Sequence, residues 1–230
     1  KIYFFSKFNK ISKIKKKFIN KEVFFFEEEK LFEILASIKP GNFCIDKQTC
    51  SIFNEELIKS NFIIKEKTDP IYYLKSIKNK IEIKNMMKAH IEDGVALTKF
   101  LYWIKNIKKL NLTEIQVEKK LEKFRKENKN YLYPSFDTIA GSGPNGAIIH
   151  YRSNKKSNRK LNIKDLLLLD SGWQYKWGTT DVTRTICFSD QSKEIKNVFT
   201  KVLKGHIAVA RTNINKDNIG KKIDKRARRF

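Results

Sequence analysis

Two aspartates, Asp170 and Asp181, constrain the fold and chemistry of this chain more than any other feature. Asp170 follows the apolar run at residues 166–169, and Asp181 opens a run rich in Thr and Val. The polar stretch between them contains Gly178, and two strand-like runs joined in this way predict a β-hairpin. With the turn centred near residues 175–176, the aspartates would be cross-strand partners, whose Cβ atoms lie about 4.5–5.5 Å apart.

A close pair of carboxylates in this arrangement predicts a metal site. Two carboxylates at such a distance repel each other, so one would stay protonated unless a cation lay between them. Carboxylate oxygens are ligands that hard divalent cations prefer. The hairpin is therefore predicted to supply half of a divalent-metal site. The structural alternative is that Asp170 only ends a strand and Asp181 only begins one.

Trp173 and Trp177 lie within the same hairpin. Indole rings pack well in partly buried positions, and their N–H group usually finds a hydrogen-bond partner there. Both side chains are predicted to serve packing, with the lining of a substrate groove as the alternative.

The charge of the chain does not by itself indicate a nucleic-acid partner. The formal net charge is +24, but only eight of the 49 basic residues are Arg, whose fork suits phosphate and base edges. The lysines are spread along the chain, which favours solvated lysine surfaces over nucleic-acid binding. The dense basic segment 221–229 is predicted to be part of an amphipathic helix, with polyanion binding as the alternative.

Neither a membrane span nor a disulfide scaffold is predicted. The longest apolar runs are well short of the roughly 18 residues that a membrane helix needs. The three cysteines, Cys44, Cys50 and Cys187, are odd in number and form no C-x-x-C pair. This usage favours a reducing, cytoplasmic location over a zinc site or disulfide framework, with a Cys44–Cys50 pair as the alternative.

The chain is predicted to contain two domains, at residues 1–75 and 76–230. The first alternates strand-like runs with a helical pattern, which predicts a small α/β layer. These segments are the apolar runs 23–26, 43–45 and 62–64 and the helical stretch 28–37. The Asp69-Pro70 pair marks a break in the pattern, so residues 69–80 are predicted to be a linker.

The second domain is predicted to mix helices and strands. Apolar residues at spacings of three and four predict a long helix from Ile81. Thr113 and Gln116 have the spacing of a capping box, which would start a second helix that ends near Lys126. The remaining predicted elements are a strand, a glycine-rich turn, a strand that contains His150, and a helix, at residues 135–140, 141–146, 147–151 and 194–211.

Three segments of the second domain carry a family resemblance. They are Gly143-Pro-Asn-Gly-Ala-Ile-Ile-His-Tyr151, Asp170-Ser-Gly-Trp-Gln-Tyr-Lys-Trp-Gly-Thr-Thr-Asp-Val-Thr-Arg-Thr185 and Val202-Leu-Lys-Gly-His-Ile-Ala-Val209. In order and spacing they resemble the Xaa-Pro aminopeptidases, which are pita-bread metallopeptidases. The resemblance is good over residues 65–227 and loose before them. It implies an α+β fold: the first half of a pita-bread domain, preceded by part of a small α/β domain like the N-terminal domain of creatinase.

The resemblance also implies a function and a set of site residues. Family members remove an N-terminal residue that is followed by proline, using two divalent ions, usually manganese, held by two Asp, one His and two Glu. Asp170 and Asp181 match the two Asp. His150 matches a His that lies beside the metals and contacts substrate or stabilises the tetrahedral intermediate. The ions activate a water molecule for attack on the peptide carbonyl.

The resemblance leaves three metal ligands unaccounted for. In the family, the remaining His and two Glu follow the region that this chain covers, and the chain begins at Lys1 without a Met, so it is expected to be a piece cut at both ends. His206 matches a helical position of the family that is not a ligand. The 230 residues alone are expected to have little or no peptidase activity. The alternative is a non-catalytic pita-bread relative that acts as a binding module; homodimer formation is implied by the family only.

Overall fold

The first of two units in the chain, Lys1–Lys78, alternates short strands with short helices. The computed structural model describes residues 1–18, 22–213 and 220–230. Strands β1 and β2 pair in parallel, as do β3 and β4. Parallel pairing is expected where a helix connects two strands. The elements are β1 (Ile2–Phe5), α1 (Phe8–Lys15), β2 (Val23–Phe26), α2 (Leu31–Ser37), β3 (Asn42–Ile45), α3 (Ile52–Lys59), β4 (Ile63–Glu66) and α4 (Pro70–Ser76).

Helix α4 occupies most of the predicted linker, residues 69–80, and the boundary between the two units falls within that segment, after Lys78. Asp69 caps the helix, because its carboxylate accepts a hydrogen bond from the backbone N–H of Ile71 at 2.8 Å. Pro70 takes the first helical position, where its fixed φ favours the helix and its missing N–H costs nothing. The Asp-Pro pair therefore begins a helix here and does not only end the preceding element.

The second unit, Asn79–Phe230, contains the predicted hairpin. Its first two helices both start with a capping box, at Asn79 and Thr113, and the second confirms the sequence prediction. The elements are α5 (Lys80–Lys105), α6 (Glu114–Lys126), β5 (Tyr131–Pro134), β6 (Ile139–Ser142), β7 (Leu166–Ser171), β8 (Trp173–Tyr175), β9 (Gly178–Thr179), β10 (Val182–Cys187), α7 (Lys193–Ala210) and α8 (Gly220–Ala227).

A three-stranded antiparallel sheet, in the order β10-β7-β6, lies at the centre of this unit. One face of the sheet carries Leu167 and Leu169, which are buried against α5 and α6. Alternation along β7 directs Leu166, Leu168 and Asp170 to the opposite face. The buried cluster between the sheet and the helices consists of Leu97, Phe100, Ile104, Val117, Leu121, Ala140, Leu161, Leu167, Leu169 and Ile186.

A buried ion pair joins the two helices to the hairpin. Arg125 of α6 donates two hydrogen bonds to the Asp93 carboxylate of α5, from Nε at 2.6 Å and from Nη2 at 2.9 Å. The Tyr175 hydroxyl of β8 donates a third bond to Asp93 at 3.0 Å. Burial raises the pKa of Tyr175 and lowers the pKa of Arg125, and all three side chains are almost fully shielded from solvent. The guanidinium also lies over the Trp173 ring, 5.1 Å from its centroid.

Replacement of Arg125 by Met is expected to lower the free energy of unfolding by about 3–5 kcal/mol, because it leaves Asp93 buried without a counter-ion. The matched control is Lys126→Met. Lys126 is the next residue in the helix and pairs with Glu122 at 2.7 Å on the exposed surface, so its loss is expected to cost less than about 1 kcal/mol. Urea denaturation of the two variants checks the difference, and equal losses would contradict it.

Cys44, Cys50 and Cys187 are all free thiols, so the alternative of a Cys44–Cys50 disulfide was wrong. Cys187 ends β10 and is partly buried.

Candidate metal centre

The hairpin that carries the two aspartates forms, but with a pairing register that differs from the prediction. Backbone pairing joins Asp170 to Thr183 and Ser171 to Val182. The same register continues through the Trp173–Thr180 backbone hydrogen bonds to Tyr175–Gly178. The turn is therefore residues 176–177, one position later than predicted. Moving the turn by one residue moves the pairing by two, so Asp170 and Asp181 are not directly opposite each other.

The aspartates nevertheless lie on one face of the sheet. Thr183 is paired with Asp170, and Asp181 lies two residues before Thr183, one residue before β10 begins. The alternation of β10, continued by that one residue, directs both carboxylates to the same side. A register change of one residue would have separated them, whereas a change of two retains the face. Diagonal neighbours of this kind are roughly 7–8 Å apart. This face is the one opposite to the helices.

The two carboxylates differ in their surroundings. Asp170 is half-buried, and its Oδ1 accepts a hydrogen bond from the Thr183 hydroxyl at 2.8 Å. Asp181 is exposed and precedes the first residue of β10. The Thr183 bond holds one oxygen of Asp170 in a fixed direction and leaves the second oxygen of that carboxylate available to a cation.

His150 lies in a loop, and the prediction that residues 147–151 form a strand was wrong. A 3-10 helix covers Gly143–Ala147, and His150 follows it with φ of 54°. The tight turn forms because glycine permits close approach: a Cβ at Gly141 would lie 2.8 Å from the Cα of Gly146. A Cβ at Gly146 would lie 3.5 Å from the Cβ of Leu168. The turn therefore packs on the sheet face that carries Asp170, and it presents His150 exposed to solvent beyond that face.

A buried glutamate organises this loop, and the sequence reasoning missed it. Glu114 has no exposed surface, and its carboxylate accepts hydrogen bonds from four groups of the segment that contains His150. The only sequence signal was its place beside Thr113, inside the capping box. That pattern indicates where a helix begins, but it does not show that a carboxylate at this position would be buried by residues 28 to 45 positions later.

No third metal ligand accompanies the aspartates within the described residues. In those parts of the chain, no group of three or more His, Cys, Asp or Glu side chains is placed to hold a metal ion. His206 is exposed on α7, and His90 is exposed on α5 with its Nδ1 2.9 Å from the Met86 carbonyl oxygen. Two carboxylates on one face fit the oxygen chemistry of a hard divalent ion, but they supply only part of its usual six or more ligands.

The tryptophans of the hairpin are packing residues, as predicted. Trp173 is almost fully buried, and its ring packs at a tilt of 49° against that of Tyr131, with the centroids 4.9 Å apart. Trp177 is partly buried, and the Lys88 ammonium lies 3.9 Å from the centroid of its ring. None of the helices within the described ranges combines the length and apolar character that a membrane crossing needs.

Comparison with known proteins identifies the family. Residues 84–230 match metallopeptidase family M24. This chain belongs to that family. It is 42% identical over 183 residues to the Xaa-Pro aminopeptidase ApepP of Drosophila melanogaster, covering 79% of this chain and 30% of the fly protein. It is 47% identical over 142 residues to aminopeptidase P2 of Arabidopsis thaliana, covering 61% of this chain and 20% of the plant protein. The resemblance to Xaa-Pro aminopeptidases is thereby confirmed.

Solved structures of related proteins confirm that this chain has the pita-bread fold. An X-prolyl aminopeptidase from Caenorhabditis elegans, described as a cytosolic enzyme with a di-nuclear active site, matches with a TM-score of 0.73 and 31% identity. The match covers 87% of this chain and 34% of the nematode enzyme. A prolidase from Pyrococcus horikoshii matches with a TM-score of 0.76 over 99% of this chain and 62% of that one, but its 24% identity shows the fold alone. The chain thus spans between about a fifth and a third of the length of these aminopeptidase relatives.

The 230-residue chain alone is expected to bind Mn²⁺ only in about the millimolar range or more weakly, because two carboxylates leave most coordination positions to water. Isothermal titration calorimetry measures this affinity for the chain and for the Asp170→Asn, Asp181→Asn and Asp190→Asn variants. Asp190 is exposed and pairs with Lys196, so it serves as the control. Micromolar binding that Asp170→Asn and Asp181→Asn abolish and Asp190→Asn preserves would contradict the expectation.

Proposed function

We propose that this chain is part of an Xaa-Pro aminopeptidase and supplies the first half of its dinuclear metal site. The observation that carries the proposal is the placement of Asp170 and Asp181 on one sheet face, with the His150 loop packed on the same face. The similar enzymes from the fly, the plant and the nematode support the substrate class, which is peptides with proline at the second position.

Asp170 and Asp181 are proposed to be metal ligands. A pair of divalent ions, which we propose to be manganese, would supply Lewis-acid polarisation of the peptide carbonyl and activation of a water molecule. Asp170 can offer the oxygen that Thr183 does not engage, and Asp181 offers an exposed carboxylate two positions away on the same face. The ligands that complete the site are proposed to come from beyond the region that this chain covers.

His150 is proposed to be the catalytic residue that contacts the substrate. Its side chain is exposed where the loop leaves the sheet face, so it can approach a peptide bound over Asp170 and Asp181. An imidazole N–H that points toward the scissile carbonyl oxygen would stabilise the negative charge that develops there. A carboxylate of the site could hold the free α-amino group of the peptide, which would restrict cleavage to the first residue.

The remaining features of the whole protein are proposed from its relatives. The unit Lys1–Lys78 would correspond to part of the small domain that precedes a pita-bread domain, with the predicted boundary near residues 75–76. A cytosolic location is supported by the nematode relative. A homodimer is proposed from the family alone. The 230 residues by themselves are proposed to have little or no peptidase activity, since they hold two of the five expected ligands.

The proposal is tested with the longest natural protein that contains this chain, loaded with Mn²⁺. Cleavage of a peptide with proline at its second position is expected, with slower or no cleavage when alanine replaces the proline. Asp181→Asn is expected to lower kcat/KM on the order of 10³-fold, because several kcal/mol of Lewis-acid stabilisation are lost. The control Asp190→Asn is expected to stay within about twofold, as for other surface ion pairs.

Two results would overturn the proposal. One is a wild-type protein that binds Xaa-Pro peptides, as measured by calorimetry, without cleaving them in the presence of Mn²⁺; this outcome would indicate the alternative, a non-catalytic binding module. The other is cleavage that survives both Asp170→Asn and Asp181→Asn, which would remove the hairpin from the active site.

A further inference from the structure

We propose that Glu114 is a positioning residue for His150. Its buried carboxylate binds the chain on both sides of the His150 loop and thereby fixes where that loop presents the imidazole. The inference rests on the proposed function, because the consequence for catalysis depends on the role of His150. The consequence for the structure of the loop can be tested separately.

On the amino-terminal side of the loop, Glu114 binds two groups. Its Oε1 accepts a hydrogen bond from the backbone N–H of Ser142, the last residue of β6, at 2.8 Å. The same oxygen accepts a bond from the side-chain amide of Asn145 at 2.9 Å, and the amide nitrogen is also 3.2 Å from Oε2. Asn145 lies within the 3-10 turn, so these bonds fix both the start and the middle of that turn.

On the carboxyl-terminal side, the second oxygen binds two more groups. Oε2 accepts a hydrogen bond from the Tyr151 hydroxyl at 2.7 Å and one from the backbone N–H of Arg159 at 2.9 Å. Tyr151 is the residue directly after His150, and it is almost fully buried, whereas His150 is exposed. The two oxygens of one carboxylate thus hold four groups, close to the limit that their lone pairs allow.

His150 depends on this support, because its own conformation is unfavourable. Within the described residues it is the one non-glycine position with a positive φ, 54°, a conformation that costs about 1–3 kcal/mol unless the surroundings impose it. No hydrogen bond to the imidazole ring is found in the same part of the chain. The anchors at Asn145 and Tyr151 on Glu114 therefore fix the two ends of residues 146–150, and two backbone turn bonds, from Ile148 N–H to Asn145 O and from Tyr151 N–H to Ile148 O, close the turns between them.

Glu118 provides a matched comparison on the same helix. It lies one turn after Glu114 and binds the hydroxyl of Ser153, but it makes no bond to residues 142–151. A carboxylate-to-amide change at Glu118 thus alters a partly buried glutamate of α6 without touching the anchors of the His150 loop.

The experiment uses the longest natural protein that contains this chain, with isotope labels in its histidine rings. In NMR spectra, the His150 signal is assigned by its absence in His150→Gln. Glu114→Gln keeps the size of the side chain but turns an N–H donor toward groups that need an acceptor. The His150 signal is expected to shift or broaden in Glu114→Gln and to stay unchanged in Glu118→Gln, and the His90 signal is expected to stay unchanged in both.

Kinetics test whether Glu114 acts through His150. Glu114→Gln is expected to lower kcat on the order of 10²-fold, as small displacements of catalytic groups do, with a smaller change in KM and an unchanged metal content. Combining Glu114→Gln with His150→Ala is expected to cause no further loss beyond that of His150→Ala, since the two changes remove one function. Losses that multiply fully in the double variant would overturn the positioning role.

The remaining outcomes separate this inference from the proposed function. A His150 signal that Glu114→Gln leaves in place overturns the inference and leaves the proposed function intact. A shifted signal together with full activity of His150→Ala supports the positioning of the loop and overturns the catalytic role of His150. Where Glu114→Gln does not fold, Tyr151→Phe removes a single anchor; an unshifted His150 signal in that variant also overturns the inference.

Discussion

The pairing register of the hairpin from Leu166 to Cys187 determines the candidate site. Every backbone pair from the start of β7 to the turn follows one register, so the location of the turn decides which side chains lie directly opposite each other. Because this register keeps Asp170 and Asp181 diagonal on the face opposite to the helices, both carboxylates stay available to ligands. Leu167 and Leu169, on the other face, anchor the same strand to the core.

Two buried carboxylates, those of Asp93 and Glu114, hold the hairpin and the His150 loop in place. Asp93 ties the end of the hairpin to α5 and α6 through Arg125 and the Tyr175 hydroxyl. Glu114 ties the His150 loop to the start of α6. A buried carboxylate without partners is costly, so each one demands a particular arrangement of donors around it. The polar residues of the interior therefore specify the geometry of the site, while the apolar cluster supplies the bulk of the core.

Much of this organisation could be predicted from the sequence, because it depends on local patterns. The capping box at Thr113, the long helix from Lys80 and the presence of the hairpin all follow from residues that are close in the chain. The turn position could not be fixed this way, since residues 175–177 contain no glycine to mark it and Tyr175 is held by Asp93, 82 positions earlier. The loop at His150 was mistaken for a strand because its apolar residues resemble one, and the contacts that bend it come from distant Glu114.

The measurement that tests the central claim most directly is anomalous diffraction at the manganese edge. It would use crystals of the longest natural protein that contains this chain, grown with Mn²⁺. The account predicts two peaks about 3.5–4 Å apart, with Asp170 and Asp181 oxygens within coordination distance, about 2.0–2.6 Å, and the His150 loop beside them. Peaks that lie away from both aspartates, or well-ordered aspartates with no manganese near them, would contradict it.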